Sequence, residues 1–514
     1  MSAGGRTITY QGSSEVSSRR PRPHYSLVII GAGPAGLAAA TVAAEYGMNV
    51  ALLDEQKTPG GQIYRAMESI PDERATLLGS EYLHGRKLVS QFRQGSNRSA
   101  GVDYFPGTQV WSLQEAASSN GHEIGLLHND NAEMITADMV LLANGAMERP
   151  LPFPGWTLPG VMSAGAGQIM FKAHGIVPVD GVVLAGSGPL LLLLAWQYKH
   201  AGVKIRTILD LTPMHNHFRA LPYLPRALLA RHYLIKGLSY KSELKQAGIS
   251  TLHNVSDLRA NSKSQSGLQS ESQLDSVLQS VSFKHKGKQH TIETDLLLTH
   301  FGVIPQIQLS QAAGCLHHWD MSQQCWRPKL DIWGNSSIDG ILIAGDGGGI
   351  GGARTAEHAG RLSAMQILYK LGRIEKQERN RLAKNDKKWM AEELHIRPFL
   401  EAFFHIPAKL LRQPADDTVV CRCEEVTAGE IRAAVAAGHG DSNQVKFLTR
   451  CGMGPCQGRQ CAEAVAHIVA AETGSDKPEG GLYRTRPPVT PLTLGQLAGL
   501  HTEASSESLD EAEQ

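Results

Sequence analysis

Nine residues, Val28-Ile-Ile-Gly31-Ala-Gly33-Pro-Ala-Gly36, run from an apolar strand straight into a glycine-rich turn. Few folds accept that passage. Gly31 permits the tight turn, Gly33 lets backbone approach a pyrophosphate, and Gly36 lets the next helix lie against the strand. Pro34 and Ala35 open that helix, whose free N–H groups and partial positive charge suit phosphate. Small side chains fill 37–45, Gly47 ends the helix, and a second strand closes on Asp54. An acid at that distance is placed to accept from a ribose hydroxyl, and neighbouring Glu55 is an equal candidate. Strand, turn, helix, strand and acid in order predict a dinucleotide-binding fold.

A second unit of the same kind starts at Gly181, with Gly186-Ser-Gly188-Pro-Leu190-Leu191 at its turn and Asp210 ending its second strand. The third glycine is missing, and a leucine there should push helix and strand apart. Asp210 would favour NAD over NADP, since a carboxylate repels a 2′-phosphate. Three readings stay open: NAD, another adenine nucleotide, or an empty fold. The five leucines 190–194 read as buried helix.

The other constraint lies far along the chain. Of seven cysteines none precedes Cys315, and five stand as Cys421-Arg-Cys423 and Cys451-Gly-Met-Gly-Pro-Cys456-Gln-Gly-Arg-Gln-Cys461. Such clustering does not resemble a disulfide framework. Thr427-Ala-Gly-Glu430 is a capping box, and another helix is expected from near Cys461 to Gly474. Cysteines before one helix and at the mouth of another can converge, and helix N-termini favour a negative thiolate cluster. Glycines 452, 454 and 458 leave backbone N–H groups room to turn toward sulfur. Four thiolates suit zinc or a 2Fe-2S cluster. Ligand softness and spacing both favour iron–sulfur, since C-x-C is short for zinc, which usually takes pairs two to four residues apart. A nucleotide fold and a thiolate site on one chain suggest a protein that moves electrons.

With 514 residues the chain exceeds one core. Its net charge of +1 argues against nucleic acid or anionic membrane as the main partner. The longest apolar run, 182–196, is broken by Gly186, Gly188 and Pro189 and is too short to span a bilayer, so no transmembrane segment is expected. Arg19-Arg20 hints at an export signal, but Pro21 follows and the next apolar run belongs to the fold. A reducing, cytoplasmic setting is the expectation. Residues 1–24 are expected to be disordered, and most of the Ser- and Gln-rich stretch 260–282 to be an exposed, mobile loop.

Three further strings carry a resemblance: Pro59-Gly60-Gly61-Gln62-Ile-Tyr-Arg65, Leu142-Ala-Asn-Gly145-Ala-Met-Glu-Arg149-Pro150 and Ile343-Ala-Gly345-Asp346-Gly347. They look like the secondary signatures of two-dinucleotide-domain flavoproteins. That resemblance implies FAD in the first site, with Gly61 and Gln62 near the flavin, Gly145 at the domain crossover and Asp346 on the ribityl or pyrophosphate region. Asn144 departs from the more usual threonine. The cysteine segment resembles the ferredoxin-type domain of bacterioferritin-associated ferredoxin, which implies Cys421, Cys423, Cys456 and Cys461 as 2Fe-2S ligands and Cys451 as a spare, small buried residue. No C-x-x-C lies in the flavin region, so disulfide-reductase chemistry lacks its thiols.

From Tyr25 to about Leu500 the chain is similar to the alpha subunits of heteromeric bacterial amine and imino-acid dehydrogenases, including opine oxidase, hydroxyproline and proline dehydrogenases and hydrogen cyanide synthase. Gly155-Trp-Thr-Leu-Pro-Gly160 and Gly345-Asp-Gly-Gly-Gly-Ile-Gly-Gly-Ala-Arg354 are among the specific strings. The implied fold class is α/β: two Rossmann-like domains of the glutathione/thioredoxin-reductase kind plus a small all-helical C-terminal iron–sulfur domain. The expected units are an N-terminal extension (1–24), a discontinuous FAD domain (25–155 and 299–375), a second nucleotide domain (156–298), a helical linker (376–415), the 2Fe-2S domain (416–474) and a Pro-rich, acidic tail (475–514). In such assemblies a separate FAD-bearing subunit oxidises the C–N bond, a small ferredoxin-like subunit can join, and the alpha chain relays electrons.

The catalytic residues are unassigned. His215, His217, His300, His317 and His318 are candidates by residue type alone, and surface or core roles are the plainer reading. Two other functions fit the motifs. One is a self-sufficient NAD(P)H-dependent reductase using the Asp210 fold. The other is a scaffold with structural zinc and vestigial nucleotide folds. The apolar positions Phe399, Leu400, Phe403, Phe404, Leu410 and Leu411 read either as a partner-facing helix or as packing between the flavin domain and the cysteine domain.

Overall fold

The computed structural model describes residues 20–98, 101–117, 121–262, 277–478 and 481–501. Nearly all of the expected N-terminal extension and the acidic end of the tail lie outside the described residues.

The glycine-turn unit builds the first sheet. The parallel strands Val102–Pro106, Val50–Asp54, His24–Ile30 and Asn131–Leu142 lie side by side in that order. His122–His128 and Gln109–Glu115 extend the sheet antiparallel, and Ile341–Ile343 returns from far along the chain to pair with Asn131–Leu142. Every residue of Val50–Asp54 is buried, as a parallel strand covered on both faces requires. The helix Pro34–Glu45 packs on this sheet and against the helix Ala353–Lys370, so closely that a Cβ on Gly360 would sit 2.1 Å from the Ala35 carbonyl oxygen.

A second, all-parallel sheet has the order Thr251–His253, Ile205–Asp210, Val182–Ser187, Leu297–Phe301, Val161–Ser163. A three-stranded antiparallel sheet, Ser256–Ser262, Leu278–His285 and Lys288–Glu293, flanks it. This corrects the expected loop at its two ends. Residues 260–262 and 278–282 are strand, because Leu258 with Ala260 and Val281 with Phe283 alternate inward onto one core, which Leu278 joins. Residues 263–276 lie outside the described set. The two chain crossovers between the sheets, Ala146–Glu148 and Val303–Pro305, pair with each other as an antiparallel ribbon.

The helix Lys376–Glu393 opens the stretch expected as a helical linker. The Phe399 region packs elsewhere than between the flavin and cysteine domains: Phe399 and Leu400 lie against Ala227, Ala230 and Ile396, and Leu411 is buried beside Leu151 and Phe153. The cysteine unit is helical, with a short ribbon of Val419–Cys421 and Val426–Thr427 at its start. Thr427 caps Ala428–Ala436 with its Glu430 box complete. Ser442–Thr449 and Ala462–Glu472 are the other two helices, the former not anticipated from sequence.

Candidate functional site

One cavity of about 1630 Å³ runs between the two sheets. Gly31, Gly33, Pro34, Ala35, Asp54, Glu55, Gly61, Gln62, Gly145, Gly345 and Asp346 all line it. Gly36 does not; it works from behind, where an added Cβ would fall 1.9 Å from the Gly31 carbonyl oxygen. Gly31 has φ +109° and would bring a Cβ to 2.4 Å from the Ala143 carbonyl oxygen. Gly33 differs: its φ is −77° and a Cβ would meet only the Gly61 Cα at 3.8 Å. Its bareness serves the cavity rather than the fold. Gly61 (φ +62°) lies directly against it, where its own added Cβ would fall 2.8 Å from the Gly33 Cα, so two backbones without side chains meet at the cavity wall.

Asp54 is buried at the end of its strand. The N–H groups of Ala32 (2.5 Å) and Gln56 (2.7 Å) donate to its carboxylate, while burial holds its pKa above the usual range. Glu55 is exposed. Asp346 anchors the far loop: Oδ1 accepts from the N–H groups of Gly351 (2.8 Å) and Gly352 (2.9 Å) ahead of the helix Ala353–Lys370. Gln62 Nε2 donates to the Ala146 carbonyl (3.0 Å), and the Asn144 amide donates to the Gln306 carbonyl (2.8 Å), so the asparagine holds the two crossovers together.

The cavity wall also carries two groups to which no motif assigns a role, Lys172 and His300. Lys172 Nζ is held by the carbonyls of Ile63 (3.0 Å) and Gln62 (3.4 Å); burial, then the Arg65 guanidinium, pull its pKa down to about 7. His300, a candidate only by type, is buried with Nδ1 2.7 Å from Glu148. A carboxylate only accepts, so Nδ1–H donates. Glu148 Oε2 accepts from the Gly165 N–H at 2.7 Å. The pair is 152 residues apart, and only the crossover position of Glu148 hints at it.

The second nucleotide unit keeps its turn but not its surroundings. Gly186 (φ +136°) would drive a Cβ to 1.9 Å from the His300 carbonyl oxygen. Over Gly188 the His300 ring sits where a Cβ would be 2.9 Å from Cδ2 and 3.0 Å from Nε2, filling the space through which a pyrophosphate approaches. Leu191 is buried at the third glycine's place. Asp210 is spoken for: Oδ2 lies 2.9 Å from His253 Nδ1, Oδ1 accepts from the Thr212 N–H (3.0 Å), and it stands outside the cavity lining.

The five clustered cysteines meet in two groups. The sulfurs of Cys421, Cys451 and Cys461, all buried, lie within 4.8 Å of one another. Cys423 is exposed and neighbours Cys456. Cys451, read from sequence as a spare, is therefore drawn into the cluster. Arg450, in the left-handed conformation after Ser442–Thr449, turns the chain to bring it there. Hydrogen bonds from the Cys451 thiol, then the Cys461 thiol, drive the Cys421 sulfur far toward thiolate, and the Gly452 N–H adds another at 3.4 Å. Cysteine Cβ and glycine backbone interlock: a Cβ on Gly454 would fall 2.3 Å from that of Cys423, and one on Gly452 would strike the Tyr483 ring at 2.3 Å. Buried soft sulfurs with backbone N–H groups turned onto them fit an iron–sulfur centre.

Two features join this unit to the cavity. Arg422 and Arg459, neighbours of the cysteines, line its far wall. Arg149, directly after the crossover, forms a buried ion pair with Glu463 on the cysteine helix and donates to the carbonyls of Gln323 and Gln324.

The family description "Pyridine nucleotide-disulphide oxidoreductase" matches residues 25–361, and "Sarcosine oxidase A3 domain" matches 416–500. The chain is 39% identical to the A component of opine oxidase from Rhizobium meliloti (strain 1021), over 93% of this chain and 99% of that one. It is 31% identical to the HcnB component of hydrogen cyanide synthase from Pseudomonas aeruginosa, again over 93% and 99%. The crystal structure of L-proline dehydrogenase from P. horikoshii superposes with a TM-score of 0.65 at 19% identity, covering 92% of this chain and 79% of that one, a likeness of fold. No helix among the described residues is long and apolar enough to cross a membrane.

Proposed function

The chain is a flavin oxidoreductase belonging to the family of the opine oxidase A and HcnB proteins, and we propose that it relays electrons within a heteromeric amino-acid, imino-acid or opine-type dehydrogenase. C–N oxidation takes place on a separate FAD-bearing subunit in this reading. One observation carries it: the same cavity is bounded by the glycine turn at Gly31–Ala35 and by Arg422 and Arg459 beside the cysteines.

Gly31, Gly33, Pro34 and Ala35 would hold the pyrophosphate of FAD, with Gly36 letting the helix close behind them, Asp54 its ribose, and Gly61, Gln62, Gly145, Gly345 and Asp346 its flavin half. The cysteines offer two pairs, Cys421 with Cys461 and Cys423 with Cys456, the number of ligands a two-iron centre takes. Cys451 is then a hydrogen-bonding fifth sulfur. When bound, a flavin accepts electrons in pairs and an iron–sulfur centre carries them singly, so together they couple a two-electron oxidation to a one-electron chain. The protein's own part is placement: the Arg149–Glu463 pair fixes the cysteine helix to the crossover. Asp210 bonded to His253, with His300 over Gly188, favours entry of electrons from a partner protein over entry from NADH.

The test is anaerobic dithionite titration of the purified chain, with visible and paramagnetic resonance spectra and iron, sulfide and flavin assays. The expected result is one FAD, two irons and a reduced two-iron signal, with no bleaching by NADH. The Cys456→Ser variant should lose the signal and Cys451→Ser keep it. A colourless protein holding zinc, or zinc lost with Cys451→Ser, would overturn the reading.

A further inference from the structure

We propose that the helices spanning residues 214–241 form the docking face for the substrate-oxidising partner, a protein surface with an apolar centre and a rim of carboxylates. The inference rests on the relay reading and names where the partner sits. Between Leu211 and Ser242 there is no Asp or Glu, while Arg219, Arg226, Arg231, Lys236 and Lys241 are all present. Of these, Lys236 reaches back to Glu81 at 2.6 Å. Over the same stretch Met214, Phe218, Leu228, Leu229, Ile235 and Leu238 are each more than half exposed, Phe218 at 72% and Leu229 at 70%. Exposed large apolar side chains gathered with arginines are the composition of an interface core.

These side chains have no way to turn inward. The inner face of the segment is already used, with Ala227 and Ala230 packed on Ile396. The outer face is broad and broken: Pro222 and Pro225 divide it into short turns before the helix Arg231–Gln246. A helix lying in a membrane surface presents one continuous stripe instead. A second copy of this chain would set cations against cations.

Position selects the occupant. Leu234, Leu238 and Lys241 also line the cavity that holds the glycine turn. A protein seated on this face would close the cavity wall and bring its own redox centre next to it. Salt should weaken the association, because the rim is cationic on one side and anionic on the other.

The experiment compares amide hydrogen exchange in the full chain alone and in its complex with the flavin-bearing protein that co-purifies with it. Residues 214–241 should exchange at least tenfold more slowly in the complex. The double variant Phe218→Asp, Leu229→Asp should weaken partner binding at least tenfold while its flavin content and melting temperature stay unchanged. Protection elsewhere with none in 214–241, or wild-type binding by the double variant, would overturn the proposal. So would sedimentation of the wild-type chain, but not the variant, with phosphatidylglycerol vesicles alongside unaltered partner binding. The outcomes stay distinct from those of the relay test: missing flavin or iron sinks the relay, whereas displaced protection sinks only the docking face.

Discussion

The two nucleotide folds of this chain begin alike and end unlike. Both place a glycine turn between a buried strand and a helix opened by proline. In the first, Gly33 faces open space and Asp54 stands at the cavity. In the second, an imidazole fills the space over Gly188, Leu191 takes the third glycine's place, and Asp210 is bonded to His253 outside the cavity. A glycine fingerprint specifies a backbone path. What the path can bind is decided by residues that arrive from elsewhere.

The first fold is also tied to the cysteine unit by a buried charge pair, and the largest expected effect follows from that. Arg149 joins the first fold to the cysteine unit through a buried pair, so Arg149→Met, which strands Glu463, should destabilise by about 3–5 kcal/mol in chemical denaturation. Adding Glu463→Leu should recover most of this; no recovery would mean that the pair is incidental. Next in size is a matched test of the turns. Gly33→Ala meets no strain, so stability should hold while FAD binding weakens tenfold or more, about 1.4 kcal/mol, in a fluorescence titration. Gly188→Ala, strained at φ +131° with a Cβ 2.9 Å from the His300 ring, should cost stability but leave the folded chain's FAD affinity unchanged. Equal losses in both variants would erase the distinction between the folds.

Acid should act on the tied side. His467, buried with both ring nitrogens unpartnered, has its pKa pulled down to about 3 by burial, with Arg149 adding to the effect. The unfolded chain takes up that proton near pH 6.5 and the folded chain does not. Stability is therefore full above pH 6.5 and falls as pH drops toward 3, by up to about 1.4 kcal/mol per pH unit. His467→Phe should flatten that slope in pH-dependent unfolding. The smallest effect belongs to the second fold: His253→Ala removes a half-exposed partner of Asp210 and should cost less than about 1 kcal/mol.

What sequence made legible was local. Gly31, Gly33 and Gly36 fix a turn within six residues, and Thr427 with Glu430 closes its capping box within four. Neither depends on the rest of the chain. The pairs that decide chemistry span far more: Asp210 with His253 over 43 residues, Glu148 with His300 over 152, Arg149 with Glu463 over 314. No periodicity announces such meetings. Cys451 illustrates an intermediate case. Its spacing was visible, but its place among the sulfurs depends on a short helix and a left-handed Arg450 that weak local propensity does not reveal.

Of the five gathered cysteines, four are at least partly sheltered and Cys423 alone lies exposed. A sulfur site with one open corner is approached from that corner by everything in the solvent, whether a redox protein, a chelator or dissolved oxygen. Damage during handling should then start at a single known atom, and the gentlest way to keep the site whole is to cover that corner.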